Sequence, residues 1–238
     1  MFDFSESVIV VTGAAGNLGS AVVKGFLANG GIVCALDHRH GRLAGLFADS
    51  TGKGQFHIYE DVDVTDREAM EKLSGRISSE VGAVSILVNT VGGFTMGEQV
   101  HEISPETWQR MMAINVHSFL NTSAVFVPGM LDNEHGKVIS ISSKSALSGG
   151  AKKGVYAAVK GALLRLTESM AAELKSHNIQ VNSVLPSTID TPENREDMPN
   201  ADFSKWVTPE QVADVVLFLS SPHANGVTGA SVPVFGKS

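Results

Sequence analysis

The stretch Val8-Ile9-Val10-Val11-Thr12-Gly13-Ala14-Ala15-Gly16-Asn17-Leu18-Gly19 decides how the rest of the chain is read. Its first four residues are apolar at odd and even positions alike, as expected of a strand covered by helices on both faces. A helical pattern begins at Leu18 and runs to Asn29. Between strand and helix, Gly13 permits a tight turn and Gly19 lets the helix lie close to the strand. The small Ala14 and Ala15 leave room for a pyrophosphate at the positive end of that helix. A glycine-rich loop alone says little. Its place between the first strand and the first helix is the context that dinucleotide binding requires.

The same alternation continues outward. Short apolar runs recur at Ile32–Leu36, Phe56–Tyr59, Ile86–Val88, Val138–Ile141, Ile179–Leu185 and Val232–Phe235. Helical patterns fill Asp66–Val81, Pro105–Leu131, Val155–His177 and Pro209–Leu219, with Asp66 and Thr208 as N-caps and Pro209 at a first helical position. Strand–helix alternation with right-handed crossovers predicts an α/β fold. Its form is a Rossmann-type, doubly wound parallel sheet of about seven strands with helices on both faces. No Pro- or Ser-rich linker divides residues 1–238, so a single domain is expected. Ligands of such sheets bind beyond the carboxyl ends of the strands, and function is sought just after each run.

Composition narrows the classes. The chain of 238 residues is 43% hydrophobic, enough for a large core, and carries 18 basic against 25 acidic residues for a net charge of −7. That balance argues against a nucleic-acid partner, which needs a clustered basic face. No apolar run is long enough to span a membrane, and the acidic start Met1-Phe2-Asp3-Phe4-Ser5-Glu6 does not read as a secretory signal. Cys34, the one cysteine, fits a reducing, cytoplasmic setting and lies inside a strand, where it reads as a buried small hydrophobe. The 8 histidines show no HExxH or similar ligand spacing, so no metal is expected. Ser-His-Asp hydrolysis is disfavoured by the lack of a G-x-S-x-G elbow.

Residues after the other strands complete the nucleotide reading. Asp37 follows the second strand, roughly twenty residues beyond the glycine turn, where an acid bonds the ribose hydroxyls of NAD and repels a 2′-phosphate. His38, Arg39 and His40 complicate this, because Arg39 could stack on adenine or grip a phosphate. NAD(H) is favoured over NADP(H). After the third strand, Asp63-Val64 stands where a carboxylate could accept from the adenine amino group. After the fourth, Asn89-Thr90-Val91-Gly92-Gly93 is a second small-residue turn that brings backbone close to a ligand. Tyr156 and Lys160 lie one helical turn apart on one face, Ser143 ends the fifth strand, and Asn115 lies in the long preceding helix.

Taken together, these residues resemble the short-chain dehydrogenase/reductase family from about Ser7 to Gly236. The matching pieces are Thr12-Gly13…Gly19, Asp63-Val64, Asn89…Gly92, Asn115, Ser142-Ser143, Tyr156-x-x-x-Lys160 and Pro186-x-x-Ile189-x-Thr191. Their shared order and spacing is far more specific than any one of them. The resemblance implies an NAD(P)-dependent oxidoreductase that interconverts a carbonyl and an alcohol, with Asn115, Ser143, Tyr156 and Lys160 as its tetrad. Tyr156 would donate a proton to the carbonyl oxygen or remove it from an alcohol. A free phenol, with a pKa near 10, is a poor base, and Lys160 and the oxidised nicotinamide would lower it. Lys160 would also hold the nicotinamide ribose, Ser143 would bond the substrate oxygen, and Asn115 would anchor a water chain to the lysine. The Ile189 backbone and the Thr191 hydroxyl would bind the carboxamide. Ser140, Ser142 and Ser145 compete for the serine role; the thirteen-residue offset to Tyr156 favours Ser143, with Ser142 a structural strand-end serine. Tyr59 has no lysine four residues on and reads as core or surface.

The chain also departs from the family pattern. Asn17 stands for the middle glycine of the turn, and asparagine tolerates left-handed geometry. Thr90-Val91 replaces an Asn-Ala pair, and Ser187 replaces a glycine. The stretches Asn89–Phe94 and Asp190–Trp206 look like dihydropteridine reductase within the family, which raises quinonoid pterin reduction as an alternative. A 3-oxoacyl thioester reductase is another, and a non-catalytic dinucleotide sensor on the same scaffold is a third. The pocket wall is expected from Phe94–Val100, Leu147–Val155 and a substrate loop at about 187–207, with Glu193–Asp197 as a lid. The resemblance further suggests a homotetramer or homodimer, packed through the helices Pro105–Leu131 and Val155–His177.

Overall fold

The computed structural model describes residues 2–48 and 53–238. In chain order its first half comprises β1 (Val8–Thr12), α1 (Asn17–Ala28), β2 (Ile32–Leu36), α2 (Arg42–Leu46), β3 (Gln55–Tyr59), α3 (Arg67–Glu80) and β4 (Ile86–Asn89). The second half comprises α4 (Pro105–Met112), α5 (Ser118–Asp132), β5 (Gly136–Ile141), α6 (Gly154–Leu174), β6 (Ile179–Pro186), α7 (Pro192–Asp197), α8 (Pro209–Ser220) and β7 (Ser231–Val234). The strands form one seven-stranded sheet in the order β3-β2-β1-β4-β5-β6-β7. Every neighbouring pair is parallel. The expected doubly wound α/β fold is therefore present.

Both faces of β1 are buried, and its alternation divides the core in two. Ile9 and Val11 pack with Val22, Phe26, Val216 and Leu217 of α1 and α8. Val8 and Val10 face the other way, toward Met70 and Ile77 of α3, Phe119 and Phe126 of α5 and Leu163 of α6. Cys34 lies in this second layer, fully buried, with its thiol pushed up to about 12 by burial and the Glu80 charge. It is thus an inert hydrophobe at neutral pH. Tyr59 is also core, its hydroxyl donating to Glu80 at 3.1 Å. No helix among the described residues is long and apolar enough to cross a membrane.

Chain order reverses between β1 and β4, which lie side by side with Thr12 opposite Asn89. The connections leaving the two strands diverge to opposite faces, opening a crevice at their carboxyl ends. Thr90 ties its rim, donating from Oγ1 to the Thr12 carbonyl at 2.6 Å.

Side-chain caps fix four of the eight α-helix starts among the described residues. Asp66 accepts from the Ala69 N–H, Ser104 from Thr107 and Thr191 from Asn194, while Thr208 and Gln211 form a reciprocal capping box. One expected helix is interrupted. The pattern over Pro105–Leu131 is α4, a single π turn at Ala113–His117, then α5. The pattern over Val155–His177 begins a residue early as α6 and tightens to a 3-10 turn at Lys175–His177. The short α2 and α7 escape sequence reading because five or six residues are too few to display a helical repeat.

Phe26 is the anchor of the α1–α8 layer, fully buried and edge-on to Phe4 at a centroid distance of 4.8 Å. Phe26→Ala is expected to destabilise the fold by about 3–5 kcal/mol, through lost burial and an unfilled cavity. Denaturant unfolding of the two proteins measures this difference.

Candidate active site

The crevice begins at the glycine turn. Gly13 holds φ at +62°, and a side chain there would press on Thr90 and Val91 of the facing turn. At Gly19, a Cβ would run into the Gly13 carbonyl and Ala14 backbone, so only glycine lets α1 start this close to β1. Leu18 is half-buried against the α1–α8 layer. Asn17, the first residue of α1, donates from its side-chain amide to Glu193 Oε2 at 2.8 Å.

At the end of β2, Asp37 is buried and accepts from the Ala15 N–H at 2.9 Å. It is also gripped by Arg39, whose Nε and Nη2 donate to its two oxygens at 2.9 and 3.2 Å. Burial works to raise this carboxyl, but the hydrogen bonds from Arg39 and Ala15 overcome it and hold the group below its ordinary value. The ribose-binding acid expected at this position is therefore ionised and already paired with Arg39. Asp63, exposed at the end of the next turn, has one oxygen committed to Thr65, while Val64 is buried.

The deeper end of the crevice holds the remaining residues. Asn89 is buried; its Oδ1 accepts from Thr122 at 2.7 Å, and its Nδ2 has no partner among the described residues. Asn115 sits inside the π turn and clasps the Gly93 backbone from both sides, donating to its carbonyl and accepting from its N–H, each at 3.2 Å. It also donates to the Met111 carbonyl at 3.0 Å. The widened turn brings the asparagine amide inward, as π turns at functional sites commonly do.

Lys160 is buried on α6 and donates to the Ile141 carbonyl, the last residue of β5, at 2.9 Å. Burial pushes its ammonium down to about 8. Tyr156, one turn earlier, has its ring centroid 6.0 Å from Lys160 Nζ. Burial raises its phenol above the ordinary value, and the neighbouring Ser143 hydroxyl works in the opposite direction. Ser143 is buried at the β5 end, where its Oγ accepts from the Ser145 N–H at 3.1 Å. Ser142 points elsewhere and donates to the Lys160 carbonyl, a structural role. Ser140 is buried against Thr167, away from the crevice.

Pro186 ends β6, and the segment after it wraps over the crevice mouth. Ile189 bridges to Val207 and its carbonyl accepts from Asn194, while the Thr191 hydroxyl caps α7 at 3.2 Å. Asp190 and Arg195 pair through two hydrogen bonds of 2.6 and 2.7 Å, and Arg195 lies over the Phe203 ring. The Glu193–Asp197 segment is thus part of an ordered short helix with its own internal ties.

Four features escaped the sequence reading. The π turn leaves no mark in apolar spacing. The Asp37–Arg39 pair and the Asn17–Glu193 bond depend on side-chain reach that spacing does not encode. Phe94, expected only as part of a pocket wall, is edge-on to Tyr156 with centroids 4.9 Å apart and planes at 83°. It remains 56% exposed, so its other surface is free to meet a substrate.

These residues fit a nicotinamide dinucleotide. The glycine turn is a cradle that a Cβ would fill, and Asn89 carries an unpaired buried amide. Among the described residues, the buried ammonium of Lys160 uses one of its three N–H groups on protein, leaving two for a sugar diol. Among the described residues no group of His, Cys, Asp or Glu is arranged to hold a metal.

The sequence profile of the short chain dehydrogenase family matches residues 7–202. The chain belongs to the short-chain dehydrogenase/reductase family. Meso-2,3-butanediol dehydrogenase of Serratia marcescens is 31% identical, the match covering 98% of this chain and 94% of that enzyme. The 3-oxoacyl-[acyl-carrier-protein] reductase FabG of Thermotoga maritima is 29% identical, with 96% of each covered. In structure, a short-chain dehydrogenase/reductase from Mycobacterium ulcerans superposes with a TM-score of 0.92 at 24% identity, covering 99% of this chain and 90% of that one. A NADP-bound structure of ElxO gives 0.88 at 24% identity over 97% of each chain, a likeness of fold. The chain is an oxidoreductase of this family, working with NAD(P) to interconvert a carbonyl and an alcohol.

At Gly92 a Cβ would stand 2.9 Å from Lys160 Nζ and 3.0 Å from Asn115 Oδ1. Gly92→Ala is expected to displace the lysine and cut kcat at least tenfold. Stability should change by less than about 1 kcal/mol, a Tm shift below about 4 °C. Steady-state kinetics beside thermal melts check both.

Proposed function

We propose that Tyr156 is the proton donor and acceptor of a small-molecule carbonyl/alcohol oxidoreductase, supported by Ser143, Lys160 and Asn115. The observation that carries this reading is a half-buried phenol flanked by a buried ammonium on its own helix and a buried serine hydroxyl at the neighbouring strand end. The nicotinamide, when bound, supplies or accepts the hydride. The Ser143 hydroxyl positions the substrate oxygen against the Tyr156 phenol, so the developing charge meets two donors already in place. Lys160 favours the tyrosinate when an alcohol must lose its proton, and its free N–H groups orient the ribose. Asn115 holds the Gly93 backbone and so keeps the second turn out of the lysine's way. Gly13, Leu18, Gly19, Asp63, Val64, Asn89, Pro186, Ile189 and Thr191 would line the dinucleotide cleft.

The buried acid at the end of β2 supports NAD(H) over NADP(H). The exposed apolar residues Phe94, Met96, Val100 and Leu147 along the expected pocket wall support an uncharged, largely apolar substrate. The single unpaired Cys34 suits the cytoplasm. Trp108 on α4 and Leu120 on α5 are exposed apolar side chains suited to a homodimer or homotetramer interface.

Tyr156→Phe is expected to abolish turnover on a panel of diketones, vicinal diols, a 3-oxoacyl thioester and a quinonoid dihydropterin, while NADH still binds. Retained turnover removes Tyr156 from the proton-donor role. Binding by the parent protein without turnover on any substrate would favour a sensor instead.

Carbonyl reduction needs the proton on Tyr156 and the charge on Lys160, and rising pH removes both. With Lys160 at about 8, kcat/KM for reduction should hold below pH 8 and fall above it. A profile that rises through this range in the reduction direction contradicts the arrangement.

A further inference from the structure

The phosphate turn and the lid are joined by a side-chain hydrogen bond between residues 176 positions apart, from Asn17 to Glu193. Arg39 stands beside the same turn, bonded to Asp37, which itself accepts from the Ala15 N–H two residues before Asn17. Its guanidinium is bound to Asp37, and the Glu193 charge also acts on it. Here one cation answers two anions, the first fixed at the end of β2 and the second delivered by α7. His38, exposed at 3.6 Å from Asp37, adds a positive charge only when protonated.

We propose that Glu193 is a cofactor-selecting residue: held over the cleft by Asn17, it joins Asp37 in competing with a 2′-phosphate for Arg39 and so biases the site toward NAD(H). The inference rests on the dinucleotide reading above and adds to it a selecting group outside the strand-end acid. A 2′-phosphate brings about −1.5 to −2 charges and needs a free guanidinium. Arg39 cannot serve it while both its Nε and Nη2 are bonded to Asp37, and the Glu193 charge opposes a second anion there. Glu193 stays ionised across the neutral range, because its own backbone amide, Thr191 and Asn17 all stabilise the carboxylate. A glycine at position 17 would have no side chain with which to hold the lid carboxylate here, so the departure from the family turn has a purpose in this reading.

The test is the ratio of Kd for NADPH to Kd for NADH, read from cofactor fluorescence without substrate. Glu193→Gln removes the charge but leaves Asn17 an oxygen to bond. The ratio should fall about fivefold, the effect of one partly screened charge near a phosphate, and the fall should shrink in about 1 M salt. In the Arg39→Ala background the same substitution should lose most of that effect, since the competition acts through Arg39. An unchanged or increased ratio overturns the proposal. So does equal weakening of both cofactors, which would make Glu193 a plain latch, or an undiminished effect without Arg39. Failure of the parent protein to bind either dinucleotide would instead overturn the reading on which the proposal stands.

Discussion

A lysine ammonium held almost wholly out of water sets the terms for the rest of the site. Stripping water from Lys160 is costly, and the protein answers with the Ile141 carbonyl as its single hydrogen-bond partner among the described residues. Everything nearby is cut to accommodate that atom. Gly92 must lack a side chain, the π turn must carry Asn115 inward to restrain the Gly93 backbone, and β5 must end where its last carbonyl can be reached. An ammonium with N–H groups to spare is tolerable because a ligand diol can take them up. The architecture is therefore stable enough alone yet completed by what it binds.

The sheet explains why these demands can be met together. Asn89, Ser143 and Pro186 belong to turns or ends of three adjacent strands, β4, β5 and β6, whose registers are locked over their full length. Their positions are set by strand termini of one rigid platform, while the tyrosine and lysine come from the helix packed against it. Placing catalytic groups on strand ends and a helix face limits the positional error that loops would introduce.

Legibility in the sequence followed the same division. The strands were readable because double burial forces apolar runs, and β2 matches its expected bounds at both ends. Periodicity placed only Tyr156 and Lys160 on one helix face; the grouping of Asn115 and Ser143 with them came from the family resemblance, carried by the order and spacing of the motifs. What spacing did not reveal is whatever depends on a side chain's reach or on a local change of helical pitch. Nothing in the residues around Asn115 breaks the apolar repeat, so the interruption between α4 and α5 was invisible. Arg39 was legible as a residue with two options, stacking or phosphate binding, but its actual choice of Asp37 follows from a two-residue backbone turn.

That choice has a consequence for how charge is managed in an acidic protein. A net −7 would repel an anionic cofactor if it were spread evenly across the cleft. Instead the turn that would meet the pyrophosphate is built from Gly13, Ala14, Ala15 and Gly16 at the start of α1 and carries no charged side chain of its own. The acids gather at the adenosine end and on the lid. The positive field is local and supplied by a helix terminus and one buried ammonium, which is the part of the cleft where anionic oxygen must be held. Negative charge at the far end then costs little for a ligand with a free ribose and much for one bearing a further phosphate. An acidic surface and a dinucleotide site are compatible because the two charges are separated along the cleft.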